Sequence, residues 1–127
     1  TQTAGKIMKI LAVDDSPTVR EMLVSTLVGA GHKVLDADDG MRALALLARE
    51  EVDLIISDLN MAKMSGFELL QEVRESATHM ATPFVILTTE TDGELKQAAR
   101  QGGATAWIVK PFDPVTLIKL IKQLGPA

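Results

Sequence analysis

Residues 52–60, Val52-Asp53-Leu54-Ile55-Ile56-Ser57-Asp58-Leu59-Asn60, set three consecutive large apolar residues between two aspartates. A strand with one wet face alternates apolar and polar side chains. A run that is apolar on both faces fits a strand covered on both, as in the middle of a parallel sheet. Val52–Ser57 is therefore predicted to be a buried strand, and the polar residues Ser57, Asp58 and Asn60 stand at its carboxyl end.

The same grammar repeats on either side. Upstream, Gly40 to Glu51 reads as a helix with Ala43, Leu44 and Leu47 inward, and Lys33 to Ala37 as a short strand. Val19, Met22, Leu23, Thr26, Leu27 and Ala30 recur at helical spacing. Ser16 suits the N-cap, Pro17 the first helical position, and Gly29 with Gly31 the stop. Ile7 to Val13 reads as the first strand. Downstream, Ser65-Gly66-Phe67-Glu68 has the form of a capping box and opens a helix through Leu69, Leu70 and Val73. Pro83–Thr88 and Ala106–Val109 read as strands. Asp92–Arg100 is a helix ending at Gly102-Gly103, and Asp113-Pro114 opens a last helix that ends at Gly125-Pro126. Five strand–helix units predict an α/β fold, a parallel sheet with helices on both faces and right-handed crossovers.

Bulk properties narrow the function classes. The chain has 127 residues, 46% apolar and 24% charged, the composition of one ordinary globular domain. There are no cysteines, so disulfides and zinc-thiolate sites are excluded. The formal net charge of −4 argues against binding nucleic acid through a basic surface. The apolar runs are far shorter than the ~20 residues of a membrane span. No basic stretch followed by an apolar one marks a secretory signal, and a cytoplasmic location is expected.

In open α/β sheets, ligands bind beyond the carboxyl ends of the strands. Asp14, Asp15 and Ser16 follow the first strand, Asp58 and Asn60 the third, Thr88, Thr89 and Glu90 the fourth, and Lys110-Pro111 the fifth. Each alone has a bland explanation as a cap or turn residue; their joint placement at one end of successive strands does not. Carboxylates so crowded repel by roughly 3 kcal/mol per pair at ~5 Å and an effective dielectric of ~20. A hard dication offsets that, and Mg2+ fits best, because it takes one or two carboxylates plus phosphate oxygens. A carboxylate is also a nucleophile that can form an aspartyl phosphate. Thr88 and Lys110 are suited to phosphoryl oxygens.

The stretches VDDSPTVR (13–20), SDLNMAKMSG (57–66), LTTE (87–90) and WIVKPF (107–112) resemble the receiver domains of bacterial response regulators, in the CheY-like, stand-alone style. The resemblance runs from about Lys6 to Gly125. It implies a single receiver domain over 1–127, with no output domain in this chain. It also implies a flavodoxin-like (βα)5 fold with strand order 2-1-3-4-5. The implied activity is that of a phosphorylation-activated switch of a two-component system, with chemotaxis as the implied setting, and not that of an enzyme beyond its own phosphorylation and dephosphorylation. Asp58 would be the phosphoacceptor. Asp15 and Asp58 would bind Mg2+ directly with the backbone carbonyl of Asn60, and Asp14 through a water. Thr88 and Lys110 would contact the phosphoryl group, and Pro111 would follow a cis peptide. Asn60 and Glu90 would gate the hydrolytic water. The donor would be a separate histidine kinase, and the target a downstream protein such as a flagellar motor switch component. A phosphorelay shuttle or sink, or the receiver of a longer transcriptional regulator, is the alternative within the family.

Three positions depart from the family pattern. Trp107 stands where Tyr or Phe is usual, and is expected to couple phosphorylation of Asp58 to a weakly packed fourth helix. Thr89 replaces a small residue and is expected to narrow access to Asp58. Ala62 replaces a common proline and is expected to loosen the loop after Asp58. On the last helix, Val115 and Ile118 face away from Leu117, Leu120, Ile121 and Leu124, beside Lys119 and Lys122, which suggests a partner surface. Outside the family, an electron carrier of flavodoxin type would need aromatics to stack on flavin, but only 3% of residues are aromatic. A small aspartyl-phosphate phosphatase would place its paired acids two apart after the first strand, whereas Asp14 and Asp15 are adjacent.

Overall fold

A computed structural model describes residues 7–125; Lys6 and Pro126, at the expected limits of the domain, lie outside the described residues. Among the described residues ten elements alternate: β1 (Lys9–Val13), α1 (Pro17–Gly29), β2 (Lys33–Ala37), α2 (Gly40–Leu47), β3 (Leu54–Ser57), α3 (Gly66–Glu75), β4 (Phe84–Thr88), α4 (Gly93–Gln101), β5 (Ala106–Val109) and α5 (Pro114–Leu124). The strands form one parallel sheet in the order β2-β1-β3-β4-β5. This is the flavodoxin-like architecture.

The central strands are buried on both faces, and their side chains alternate between two cores. Leu11, Ile55 and Phe84 align across β1, β3 and β4 and meet Ala43 of α2, Leu69, Leu70 and Val73 of α3, and Ala99 of α4. One residue on, Ala12, Ile56 and Val85 align and point the other way, into a core shared with Leu23 and Leu27 of α1 and Leu117 and Ile121 of α5. A one-residue slip of any central strand would exchange the two sets, so the register is strongly specified. Each fully buried Leu, Ile or Phe contributes about 1.5–3 kcal/mol relative to exposure.

The helix starts follow their capping residues. Ser16, Asp39, Ser65, Asp92 and Asp113 cap α1 to α5, each accepting a backbone N–H of the first turn. The Ser65–Glu68 capping box is complete, with Ser65 Oγ accepting the Glu68 N–H at 3.2 Å and Glu68 Oε1 accepting the Ser65 N–H at 2.9 Å.

Some boundaries differ from the sequence expectation. Helix α2 stops at Leu47 rather than Glu51, because the chain tightens there, with the Arg49 N–H bonding the Leu46 carbonyl three residues back, and the Glu50 side chain is drawn to Lys9 of β1. Strand β3 begins at Leu54, not Val52; the Val52 N–H is taken by His79 Nε2 instead of a neighbouring strand. Strands β1 and β4 likewise begin later than expected, at Lys9 and Phe84. On α5, Val115 is exposed, but Ile118 is half-buried rather than outward. Helix α4 buries only Ala99, as its small residues predict. No described helix is long and apolar enough to cross a membrane.

Candidate active site

The carboxyl ends of β1, β3, β4 and β5 open onto one mouth. Asp14, at the tip of β1, is fully buried. Its N–H bonds the Ala37 carbonyl at 3.1 Å, and its Oδ1 accepts the Ser16 N–H at 2.9 Å. Asp15 follows and is exposed. Asp58, at the tip of β3, is 7% exposed. Its N–H bonds the Val13 carbonyl at 3.0 Å, and its Oδ1 accepts the Leu59 N–H at 2.7 Å.

Lys110 arrives from β5, placed by its N–H bond to the Thr88 carbonyl at 2.8 Å. Its Nζ donates to Asp58 Oδ2 at 2.9 Å. It also lies 2.8 Å from Asp14 Oδ2, an ion pair whose angle falls short of a hydrogen bond. Burial of Lys110 favours the neutral amine. The close Asp14 and Asp58 carboxylates together outweigh that and hold its pKa above the ordinary 10.5. The Lys110–Pro111 peptide is cis.

Oxygens of Asp14, Asp15 and Asp58 come within 4.8 Å of one another. Three carboxylates against one ammonium leave a formal −2 at the mouth, so Lys110 neutralises only part of the crowding. The donors are all hard oxygens, partly preplaced by backbone N–H groups, and one of them, Asp15, faces outward. That set suits a magnesium ion that keeps several waters.

Thr88 is fully buried, and its Oγ1 accepts the Glu90 N–H at 3.4 Å, a long bond. Asn60 Nδ2 donates to Glu90 Oε2 at 3.1 Å, so these two residues form a bridge across the mouth. Thr89 is exposed beside them. Trp107 is half-buried, packs against the α2–α4 core, and lines a small cavity of about 70 Å³ with Lys96, Ala99, Arg100 and Ala104.

The loop after Asp58 touches the start of α2. Lys63 adopts a left-handed conformation, φ 70°, and its Nζ lies 3.6 Å from the buried Asp39. Met64 packs so closely on Gly40 that a Cβ there would meet its side chain at 2.8 Å.

Two contributors to the site were not legible in the sequence. A Cβ on Gly66 would lie 2.2 Å from the Asp58 carbonyl oxygen, so only glycine lets α3 start against the acceptor. Arg20 Nη1 donates to the Asp14 carbonyl at 2.8 Å. Away from the site, at the amino ends of β1 and β3, His32 and His79 are buried and accept backbone N–H groups from Met8 and Val52, which the sequence did not show either. The capping pattern around Gly66 was visible, but its contact with Asp58 depends on tertiary packing.

Comparison with known proteins agrees with this fold. The family model for the response regulator receiver domain matches residues 10–122. A "Chemotaxis protein CheY homolog" of Campylobacter jejuni is 40% identical over 119 residues, 92% of each chain. Protein PilH of Pseudomonas aeruginosa is 35% identical over 116 residues, 91% of this chain and 96% of its own. The crystal structure of the Vibrio cholerae chemotaxis protein CheY4 is 46% identical with a TM-score of 0.89, covering 94% of this chain and 99% of that one. With the strand order, the mouth at the carboxyl ends and a match across nearly all of the sheet and helices, the chain belongs to the response regulator receiver domains of two-component signalling.

Proposed function

We propose that Asp58 accepts a phosphoryl group from a histidine kinase and that the modified chain acts as a signalling switch. The observation that carries this reading is the convergence on Asp58 of Lys110, bonded to its Oδ2 at 2.9 Å, and of the Asp14 and Asp15 oxygens within 4.8 Å. A carboxylate oxygen of Asp58 attacks phosphorus, the bond from phosphorus to the donor breaks, and the donor leaves with the electron pair. Lys110, kept charged by its acidic neighbours, is placed to follow the negative charge onto the phosphoryl oxygens. The long Thr88–Glu90 bond costs little to break, which leaves the Thr88 hydroxyl able to turn toward a phosphoryl oxygen.

Asp15 and Asp58 would hold Mg2+ directly, together with the Asn60 carbonyl, and Asp14 would act through water. Bound there, magnesium supplies charge neutralisation for the carboxylates and the incoming phosphate. Asn60 and Glu90, bonded to each other at the mouth, would gate the hydrolytic water and so set the lifetime of the acyl phosphate.

Chemotaxis-type signalling is the best-supported setting, because CheY-type relatives align with this chain over almost their whole length. The reading puts the chain in the cytoplasm, with its output through α4, β5 and α5 to a protein such as a flagellar motor switch component. Thinly packed α4 and the half-buried Trp107 beside it are the elements that would re-set.

Incubation with acetyl phosphate and Mg2+ tests the reading by intact mass. A gain of about 80 Da, one phosphoryl group, is expected, absent in Asp58→Asn. Modification that persists in Asp58→Asn, or turnover of added phosphoesters without modification, would overturn it.

A further inference from the structure

Arg20 grips the site from behind. It is the fourth residue of α1, and its guanidinium reaches back over the helix start, where Nη1 donates to the Asp14 carbonyl at 2.8 Å and Nε pairs with Asp36 Oδ2 of β2 at 3.1 Å. A cation near a helix N-terminus opposes the helix dipole, and the first turn of α1 carries no acidic residue to offset it. The Asp36 side chain is 50% exposed, so an ion pair with it adds little stability. Neither the helix nor the ion pair accounts for an arginine here.

The Asp14 carbonyl supplies an account. It belongs to the peptide that joins Asp14 to Asp15, so fixing its direction fixes the plane from which the Asp15 side chain departs. Asp14 has further restraints of its own, at its N–H, Oδ1 and Oδ2. Asp15 is exposed, and among the described residues nothing hydrogen-bonds its carboxylate. Its position therefore depends on the backbone on either side of it. We infer that Arg20, braced by Asp36, is a positioning residue for the Asp15 carboxylate. The inference rests on the mouth being an oxygen-donor metal and phosphoryl site. The planar fork of arginine serves both contacts at once, which a lysine ammonium cannot reproduce.

Binding of Mn2+, an oxygen-seeking stand-in for Mg2+, is measured by the loss of the free-ion paramagnetic resonance signal. The proteins are wild type, Arg20→Lys, Arg20→Gln and Asp36→Ala, each with the thermal midpoint of its metal-free form. About ten-fold weaker binding is expected for both Arg20 variants, the scale typical of groups that orient metal ligands. A smaller loss is expected for Asp36→Ala, with metal-free midpoints close to wild type. In acetyl phosphate assays the half-saturating Mg2+ should rise while the rate at saturating Mg2+ is kept. Should Arg20→Gln fail to fold, Arg20→Lys and Asp36→Ala decide. Wild-type affinity in a folded Arg20→Lys overturns the positioning role alone. Failure of the wild type to bind Mn2+ overturns the metal-site reading, and this role with it.

Discussion

Lys110 Nζ sits between two buried carboxylates, 2.9 Å from Asp58 Oδ2 and 2.8 Å from Asp14 Oδ2. One ammonium so placed lowers the repulsion of the mouth without closing it, since Asp15 remains outside the pair. Replacing it separates its two services. In Lys110→Met the buried acids lose their cation, so the metal-free protein should melt lower, and added Mg2+ should raise its midpoint by more than it raises the wild type's. Phosphorylation from acetyl phosphate should fall even at saturating Mg2+. Equal metal-induced shifts in the two proteins would contradict this account of the charge balance.

Gly66 makes a sharper structural prediction. A Cβ there would lie 2.2 Å from the Asp58 carbonyl oxygen and 2.8 Å from Leu59 Cα, both backbone atoms that cannot turn aside. Gly66→Ala should cost about 3 kcal/mol or more in urea unfolding, at the upper end of overpacking effects. It should also slow phosphorylation, because relief of the clash moves the acceptor. Gly29→Ala, with nothing within 4 Å of its added carbon, is the control and should be neutral or stabilise by about 0.4–1 kcal/mol.

The two histidines predict acid sensitivity. His32 Nδ1 accepts the Met8 N–H at 3.0 Å and His79 Nε2 the Val52 N–H at 3.3 Å, so each ring must be neutral at that nitrogen. Burial lowers both pKa values below the ordinary 6.5, with the Glu51 charge partly opposing the shift at His79. On acidification the unfolded chain then takes up protons first. Stability is fully present above 6.5 and is lost as pH falls from there toward the folded values. Unfolding free energies measured from about pH 8 to about pH 5 should fall, and the fall should be shallower in His32→Gln and His79→Gln. Parallel curves would count against the histidines as the source.

Asn60 and Glu90 should act as one unit in dephosphorylation. Their side chains are bonded at 3.1 Å, so removing either releases the other. Asn60→Ala and Glu90→Ala should each lengthen the phosphoryl lifetime, and the double variant should do little more than the stronger single. Additive effects would mean that the two residues work separately.

Trp107 should report switching. It packs on the same core as Ala99 of thinly held α4. Its fluorescence is expected to change when beryllofluoride and Mg2+ occupy Asp58; an unchanged signal at proven occupancy would remove the proposed coupling.

Much of the architecture follows from local chemistry. The apolar run of β3, the helical spacing in α1 and α5, and the residues Ser16, Asp39, Ser65, Asp92 and Asp113 at the caps are local features, and the sequence alone determined five alternating strand–helix units with acids, Thr88 and Lys110 at the strand tips. Register and packing decided the rest. The 2.2 Å gap that only Gly66 fits, the reach of Arg20 to Asp14 and Asp36, the Lys63–Asp39 contact and the buried histidine acceptors join segments that local rules treat separately. Caps and periodicities are interactions of neighbours in the chain, whereas these contacts exist only once the sheet has set which distant residues meet, and so only the tertiary structure could place them.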